Sequence, residues 1–449
     1  MNYREYYLNT AALTLDKDQV ASKFSPLSEA DPLKLLYILG IAIGFGAIGC
    51  EWSWNQQTPS LIIYPLYAIA LIGILFVAIK SCALQRISKV NMKWLLLIGW
   101  LILALPIERL AAAIGSDHMP FDRQYQLILF CYMLASICGL IGLRIGGLSK
   151  VAHRFLARVA FLLAVISVYI YFFGTPAKDS IVIFPSQYVS FPMRLFCLFA
   201  FSWYLNKWLL GKKVLTWPLL GVATSVLPTL VLFHKPIVVS ALFSMLALLL
   251  LNMHRGKIGR IFFRVIILVC LSAALFTIAD FATNGALAEN FIKQFYYSYL
   301  HLTPQATEAL ENRDLLESSA GGRFDIWQDA WQRFLEHPIF GTGLGQLTGV
   351  TSFTDTSIPI HNGYLDILLS IGLFGSVAVV MGLIGFARSA LSRLKTQDTV
   401  WVTPTLAYIV GIGAYNLAGT SNLFIFQSAF LLLCMGMIAA PIRDDIRAA

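Results

Sequence analysis

The feature that most constrains this chain is the repetition of apolar runs long enough to cross a bilayer. A helix rises about 1.5 Å per residue, so roughly twenty apolar residues cover the hydrocarbon layer. Runs of that order occupy residues 33–50, 60–79, 94–114, 127–143, 155–173, 189–204, 214–233, 236–251, 261–278, 363–386, 401–417 and 424–440. Inside lipid every backbone N–H and C=O must find its partner within the protein, which helices achieve locally. The expected fold class is therefore all-α: a polytopic integral membrane protein of about twelve transmembrane helices. With 58% hydrophobic and only 13% charged residues, and a mean hydropathy of +0.71, the chain is not an ordinary soluble domain.

Charge then orients the spans. Alternate connections hold Arg86, Lys89 and Lys93; Arg144, Lys150, Arg154 and Arg158; Lys207, Lys212 and Lys213; Arg255, Lys257, Arg260 and Arg264; and Arg388, Arg393 and Lys395. The opposite connections are poor in Lys and Arg, so both termini are expected in the cytoplasm. A net charge of +9 would suggest nucleic acid in a soluble chain. Here it matches cytoplasmic loops facing anionic membrane lipids, and no basic-aromatic nucleic-acid module is visible. Residues 1–32 mix both charge signs without the apolar core of a cleavable signal and read as a cytoplasmic arm. Spans one to nine fill 33–278, a long outer connection fills 279–360, three more spans fill 361–440, and a short cytoplasmic tail covers 441–449. The seven cysteines lie in or beside apolar runs without a CxxC pair, as buried hydrophobes do.

Reactive groups gather in one stretch, residues 321–375. Its first part predicts an amphipathic helix over 321–336, with Trp327, Ala330, Trp331 and Phe334 on one face and Asp325, Gln328, Asp329, Gln332 and Arg333 on the other. Such a helix suits the membrane interface. Arg323 falls in the first turn, where a cation opposes the positive end of the helix dipole. A bound phosphate or diphosphate would resolve that conflict; an ordinary surface arginine also fits. His337-Pro338 ends the helix, glycines 341, 343 and 345 turn the chain, and a polar loop runs to His361-Asn362 at the mouth of the next span. An imidazole there suits a general base, and equally a capping histidine. Lys235, between His234 and Pro236 at a helix start, and Arg194 near the outer end of its helix are further outward-side cations. Glu108-Arg109, within a span, reads as structural or functional alike.

The pattern Arg323, Trp327, Ala330, Pro338, Gly341 and Gly343, followed by His361-Asn362, Leu365, Gly372 and Gly375, resembles the signature region of the O-antigen ligase and polymerase family of bacterial inner-membrane glycosyltransferases. The motif covers about 55 residues, and the hydropathy layout agrees over the whole chain. The resemblance implies a GT-C-like fold with one large periplasmic loop containing interfacial helices, in the bacterial inner membrane. It carries the catalytic roles onto Arg323 and His361. Where many members have a Ser-Arg pair, this chain has His234-Lys235. The donor implied is an undecaprenyl diphosphate-linked glycan. The acceptor is lipid A-core for a ligase or another lipid-linked repeat for a polymerase, with the single large loop favouring ligase.

On this expectation Arg323, with Lys235 and Arg194 as further cations, holds the diphosphate, and His234, Asn362 and Trp327 join the binding surface. His361 takes the proton of an acceptor hydroxyl, so a single inverting displacement follows. No metal or other cofactor is expected, because the outer loop lacks a DxD pair and the chain has no phosphate-binding glycine motif. A transporter of lipid-linked sugar is a less favoured alternative, since no internal repeat is visible.

Overall fold

The computed structural model describes residues 35, 37–46, 60–80, 137–142, 154–162, 164–165, 191–211, 216–231, 235–253, 258–282, 284–285, 288, 292, 320–341, 348–351, 354–360, 362–394, 399–417 and 427–439. The N-terminal arm, the span expected at 94–114 with Glu108 and Arg109, most of residues 283–319 in the outer connection, and the C-terminal tail lie outside the described residues. So do His234 and His361.

Helices dominate. In chain order they are α1 (Ser60–Lys80), α2 (Phe191–Leu210), α3 (Trp217–Val231), α4 (Lys235–Met253), α5 (Ile258–Ala282), α6 (Ala320–Glu336), α7 (Gly363–Leu394), α8 (Thr399–Tyr415) and α9 (Gln427–Ala439), with further helical residues at 37–46, 137–142 and 154–162. Two of these cores, Ile261–Ile278 in α5 and Ile371–Leu394 in α7, are long and apolar enough to cross a membrane. Most of the α5 span is unburied: Phe262, Phe263, Ile266, Val269 and Ile278 are all exposed. A soluble core helix would hide such a surface, whereas a lipid-facing one has no need to.

Packing is densest where α2, α4, α8 and α9 meet. Phe199 of α2 stands edge-on to Tyr408 of α8 at 5.2 Å and to Phe430 of α9 at 5.0 Å, and Phe196 meets Phe430 at 4.7 Å. These pairings fix helix rotation as well as burying area. On the other side of α8, Gly411 lets α4 approach closely. A Cβ there would lie 2.8 Å from the Ser240 carbonyl oxygen, nearer still to the Ser244 hydroxyl, and 3.2 Å from Leu198 of α2. Small residues at such a contact are how helices gain dispersion energy in lipid, where apolar burial drives nothing. Asn252 of α4 also donates to Asn206 of α2 at 3.0 Å inside the same bundle.

Three findings differ from the sequence reading. Arg264, expected as a cytoplasmic loop cation, is buried. It donates to the carbonyl oxygens of Trp208 and Gly211 and lies 5.5 Å from the Trp208 ring centre, so it caps the end of α2. Arg388 and Arg393 are helical, because α7 continues to Leu394. Finally, the polar loop after α6 contains a two-stranded antiparallel hairpin, β1 (Thr348–Thr351) and β2 (Thr354–Pro359), paired Thr348 to Pro359 and Val350 to Ser357, with an irregularity after Val350. Its alternation is Thr- and Ser-rich on both faces, so hydropathy gives no strand signal, while β-branched residues suit the pleat.

Candidate functional site

The site is built on a broken helix. Gly372 has φ 62° and ψ −171°, so α7 is two helices, a short one from Gly363 and a longer one from the break onward. The span expected at 363–386 therefore contains a break at Gly372, and its helix continues to Leu394.

That break exposes backbone groups, and α6 supplies their partners. The turn after α6 returns along the break: Leu373 N–H donates to Pro338 O at 2.9 Å and Phe374 N–H to Ile339 O at 3.1 Å. Irregular backbone at membrane depth is tolerated where the protein itself satisfies it. Farther along, Ala330, Phe334, Ile360 and Leu369 form a small separate core beneath α6. Buried Ile326 extends that face by one turn, while Trp331 and Leu335 remain exposed. The amphipathic helix expected at 321–336 is thus present, running from Ala320, with its Asp329–Arg333 pair 3.2 Å apart on the polar side.

Around the start of α7 the hydrogen bonds are specific. Trp327 Nε1 donates to Ile360 O at 2.9 Å. Asn362 is the N-cap: its Oδ1 accepts from the N–H groups of Tyr364 at 3.1 Å and Leu365 at 3.0 Å, and its carbonyl oxygen accepts from Asp366 N–H. Gly363 N–H donates to Asn416 O at 2.8 Å, just past the end of α8, and Tyr364 Oη donates to Gly413 O at 2.8 Å. Positions 360, 362 and 363 are accordingly fixed from two sides, by α6 and by α8.

The expected cations all fall at helix starts. Arg194 lies in the first turn of α2, Lys235 opens α4 and Arg323 lies in the first turn of α6; none of these turns has an acidic residue. The Gly411 contact puts Leu198 and Ser240 at one level of the bundle. Arg194 is one turn before Leu198, and Lys235 is somewhat more than a turn before Ser240. Asn416, which holds Gly363, is a similar distance beyond Gly411. Because Asn206 and Asn252 also meet farther along the same two helices, α2 and α4 run parallel, and the N-termini that carry Arg194 and Lys235 share one end of the bundle. The side chains of Arg194, Lys235 and Arg323 are outside the described set, as is His361 between Ile360 and Asn362.

Of the expected binding residues, Trp327 and Asn362 are accounted for by structure: one ties α6 to Ile360, the other caps α7. Asp366 was not anticipated from sequence, yet it is fully buried in the first turn of α7. The available signal was an acid four residues after a capping asparagine.

Fold and site together define a helical membrane protein in which an amphipathic helix, α6, packs against a broken one, α7. The chain belongs to the O-antigen ligase family, whose sequence profile matches residues 127–380, more than half of its length. Membership gives it a glycosyl-transferring activity of the O-antigen ligase or polymerase type. No curated protein matches the chain at a significant level.

Proposed function

We propose that this protein is an O-antigen ligase that moves a glycan from undecaprenyl diphosphate to lipid A-core at the outer face of the bacterial inner membrane. The observation that carries the reading is the Trp327–Ile360 hydrogen bond. Trp327 is one helical turn after Arg323, and Ile360 immediately precedes His361, so one bond ties together the two segments on which the chemistry depends. In the reaction an acceptor hydroxyl oxygen attacks the anomeric carbon and the bond from that carbon to the diphosphate oxygen breaks. His361 takes the hydroxyl proton, and the departing diphosphate, which gains negative charge, is held by Arg323 with Lys235 and Arg194. Attack opposite the leaving group inverts the anomeric centre. The N-termini of α2 and α4 add partial positive charge at one end of the bundle, which favours a phosphate-rich ligand.

The test uses purified protein in lipid nanodiscs with a diphosphate-linked glycan donor. With lipid A-core as acceptor, wild type is expected to form the joined product. His361→Ala is expected to reduce turnover by roughly 100-fold or more, and Arg323→Ala by a similar factor. Near-normal turnover of His361→Ala would remove the base assignment. Product formed only when a second lipid-linked repeat is the acceptor would make the protein a polymerase, and movement of lipid-linked sugar across liposomes without a new glycosidic bond would make it a transporter.

A further inference from the structure

The corner where α2 ends and α3 begins carries a division of charge that glycan transfer does not use. It is built around one ring. A Cβ on Gly221 of α3 would lie 2.5 Å from the Tyr204 ring of α2, so its absence lets α3 fold back against the last turns of α2. The same ring meets Phe161 edge-on at 5.3 Å, which brings in the helical segment at 154–162. Arg158 of that segment also acts on the Tyr204 phenol electrostatically. Three elements therefore join at Tyr204, and each changes character there. Arg154, Arg158, Leu162 and Val165 are exposed. At 100° per residue they form one stripe, cationic first and apolar from Leu162 onward. Lys207, in the last turn of α2, is exposed as well. The carbonyl oxygens of Trp208 and Gly211 beside it are already met by buried Arg264. α3 opens on Trp217, which is 82% exposed, and exposed Leu220 follows within a turn. A tryptophan that open suits the boundary of a membrane, where one side of the ring meets hydrocarbon and its N–H meets headgroups. Arg158, Lys207 and Trp217 each lie about one turn from the Tyr204 junction. No acid in these elements balances the cations: residues 154–162 and 180–279 contain neither Asp nor Glu.

We propose that this corner binds an anionic phospholipid, with the headgroup phosphate between Arg158 and Lys207 and the acyl chains over Leu162 and Leu220. Arginine grips phosphate oxygens with paired N–H groups, and lysine adds a point charge. Basic pockets between the ends of membrane helices are where such headgroups are held. The exposed leucines one turn beyond the cations separate a lipid from a free phosphate ion, since they offer an ion nothing and an acyl chain a surface.

The test uses the full-length protein purified in detergent, with bound lipid counted by native mass spectrometry. The probes are phosphatidylglycerol, phosphatidylcholine with the same acyl chains, and inorganic phosphate. Wild type is expected to bind phosphatidylglycerol about tenfold more tightly than phosphatidylcholine. Arg158→Gln and Lys207→Gln should each weaken phosphatidylglycerol binding about fivefold, and the double variant about 25-fold, as the loss of one and two headgroup cations implies. Arg158→Lys, which keeps the charge and loses the paired N–H groups, should lose less than Arg158→Gln. Arg388→Gln, which removes an exposed cation of α7, should bind as wild type does. Both tested cations are exposed, so neither substitution disturbs packing. Equal binding of the two lipids by wild type, or wild-type phosphatidylglycerol binding by the double variant, overturns the proposal. Inorganic phosphate bound as tightly as phosphatidylglycerol also overturns it, because the corner would then hold an anion without a lipid.

Discussion

Replacing Gly372 with alanine should release the turn after α6 from the broken span while leaving most of α6 in place. The residue has φ 62° with an extended ψ, a region nearly closed to side chains, and forcing alanine into it costs about 1–3 kcal/mol. Its Cβ would also lie 2.5 Å from the Gly341 nitrogen and from the Ile339 carbonyl carbon, with the Ile339 oxygen closer still. Those are backbone atoms, which cannot rotate away, so the turn must lift and break the Leu373–Pro338 and Phe374–Ile339 hydrogen bonds. Each contributes about 0.5–1.5 kcal/mol net. A total near 3 kcal/mol corresponds to about a 100-fold shift in the local docking equilibrium. Against this, burying Phe334 and Ile360 in the small core holds α6 with about 3–6 kcal/mol, so the helix stays while its final turn detaches. Hydrogen–deuterium exchange should therefore accelerate about 100-fold in the peptide spanning 372–375 and change little in 326–334. Gly44→Ala, where a Cβ meets nothing within 4 Å, is the control and should be neutral or stabilising by up to about 1 kcal/mol. Wild-type exchange rates in Gly372→Ala would refute the argument, because they would mean that the break tolerates a side chain.

Three further outcomes follow from the same geometry. Trp327→Phe keeps an aromatic ring but loses the N–H to Ile360; turnover should drop about tenfold, as loss of roughly 1.4 kcal/mol of positioning implies, with a fall in melting temperature in a scanning fluorescence assay. Asn362→Ala removes the N-cap and should cost about 1 kcal/mol, with Asn362→Asp recovering most of it, since aspartate supplies the same acceptor oxygen. Arg264→Ala removes a buried cap of α2 together with its contact to the Trp208 ring and should lower stability by about 3 kcal/mol, read as a fall in melting temperature, while the protein that remains folded keeps its turnover.

How much of this was legible in the sequence depends on which interaction decides each feature. Apolar runs gave the helices, because they depend on composition over many residues. The amphipathic helix at 321–336 was legible for the same reason: Ala330 and Phe334 keep the helical period, and the charged residues take the other face. The Gly372 break was not legible as a break, since hydropathy runs unbroken through Ser370, Ile371, Leu373 and Phe374. What makes it possible is a pair of carbonyls supplied from Pro338 and Ile339, more than thirty residues earlier. Arg264 was misread because an arginine at a span end looks like a loop charge until the open carbonyls of α2 are seen beside it. Asp366 passed unnoticed because a lone acid at a helix start is ordinary, and its complete burial depends on tertiary packing that local sequence does not encode.

The central claim is that residues on both sides of the Trp327–Ile360 tie perform glycan transfer to lipid A-core. Its most direct test is the lipopolysaccharide ladder of a source strain lacking the protein and complemented with wild type, Arg323→Ala or His361→Ala. The account predicts that wild type restores the ladder, while either variant leaves bare core with long glycan still attached to the carrier lipid. A full ladder from His361→Ala, or no change on deletion, would contradict it.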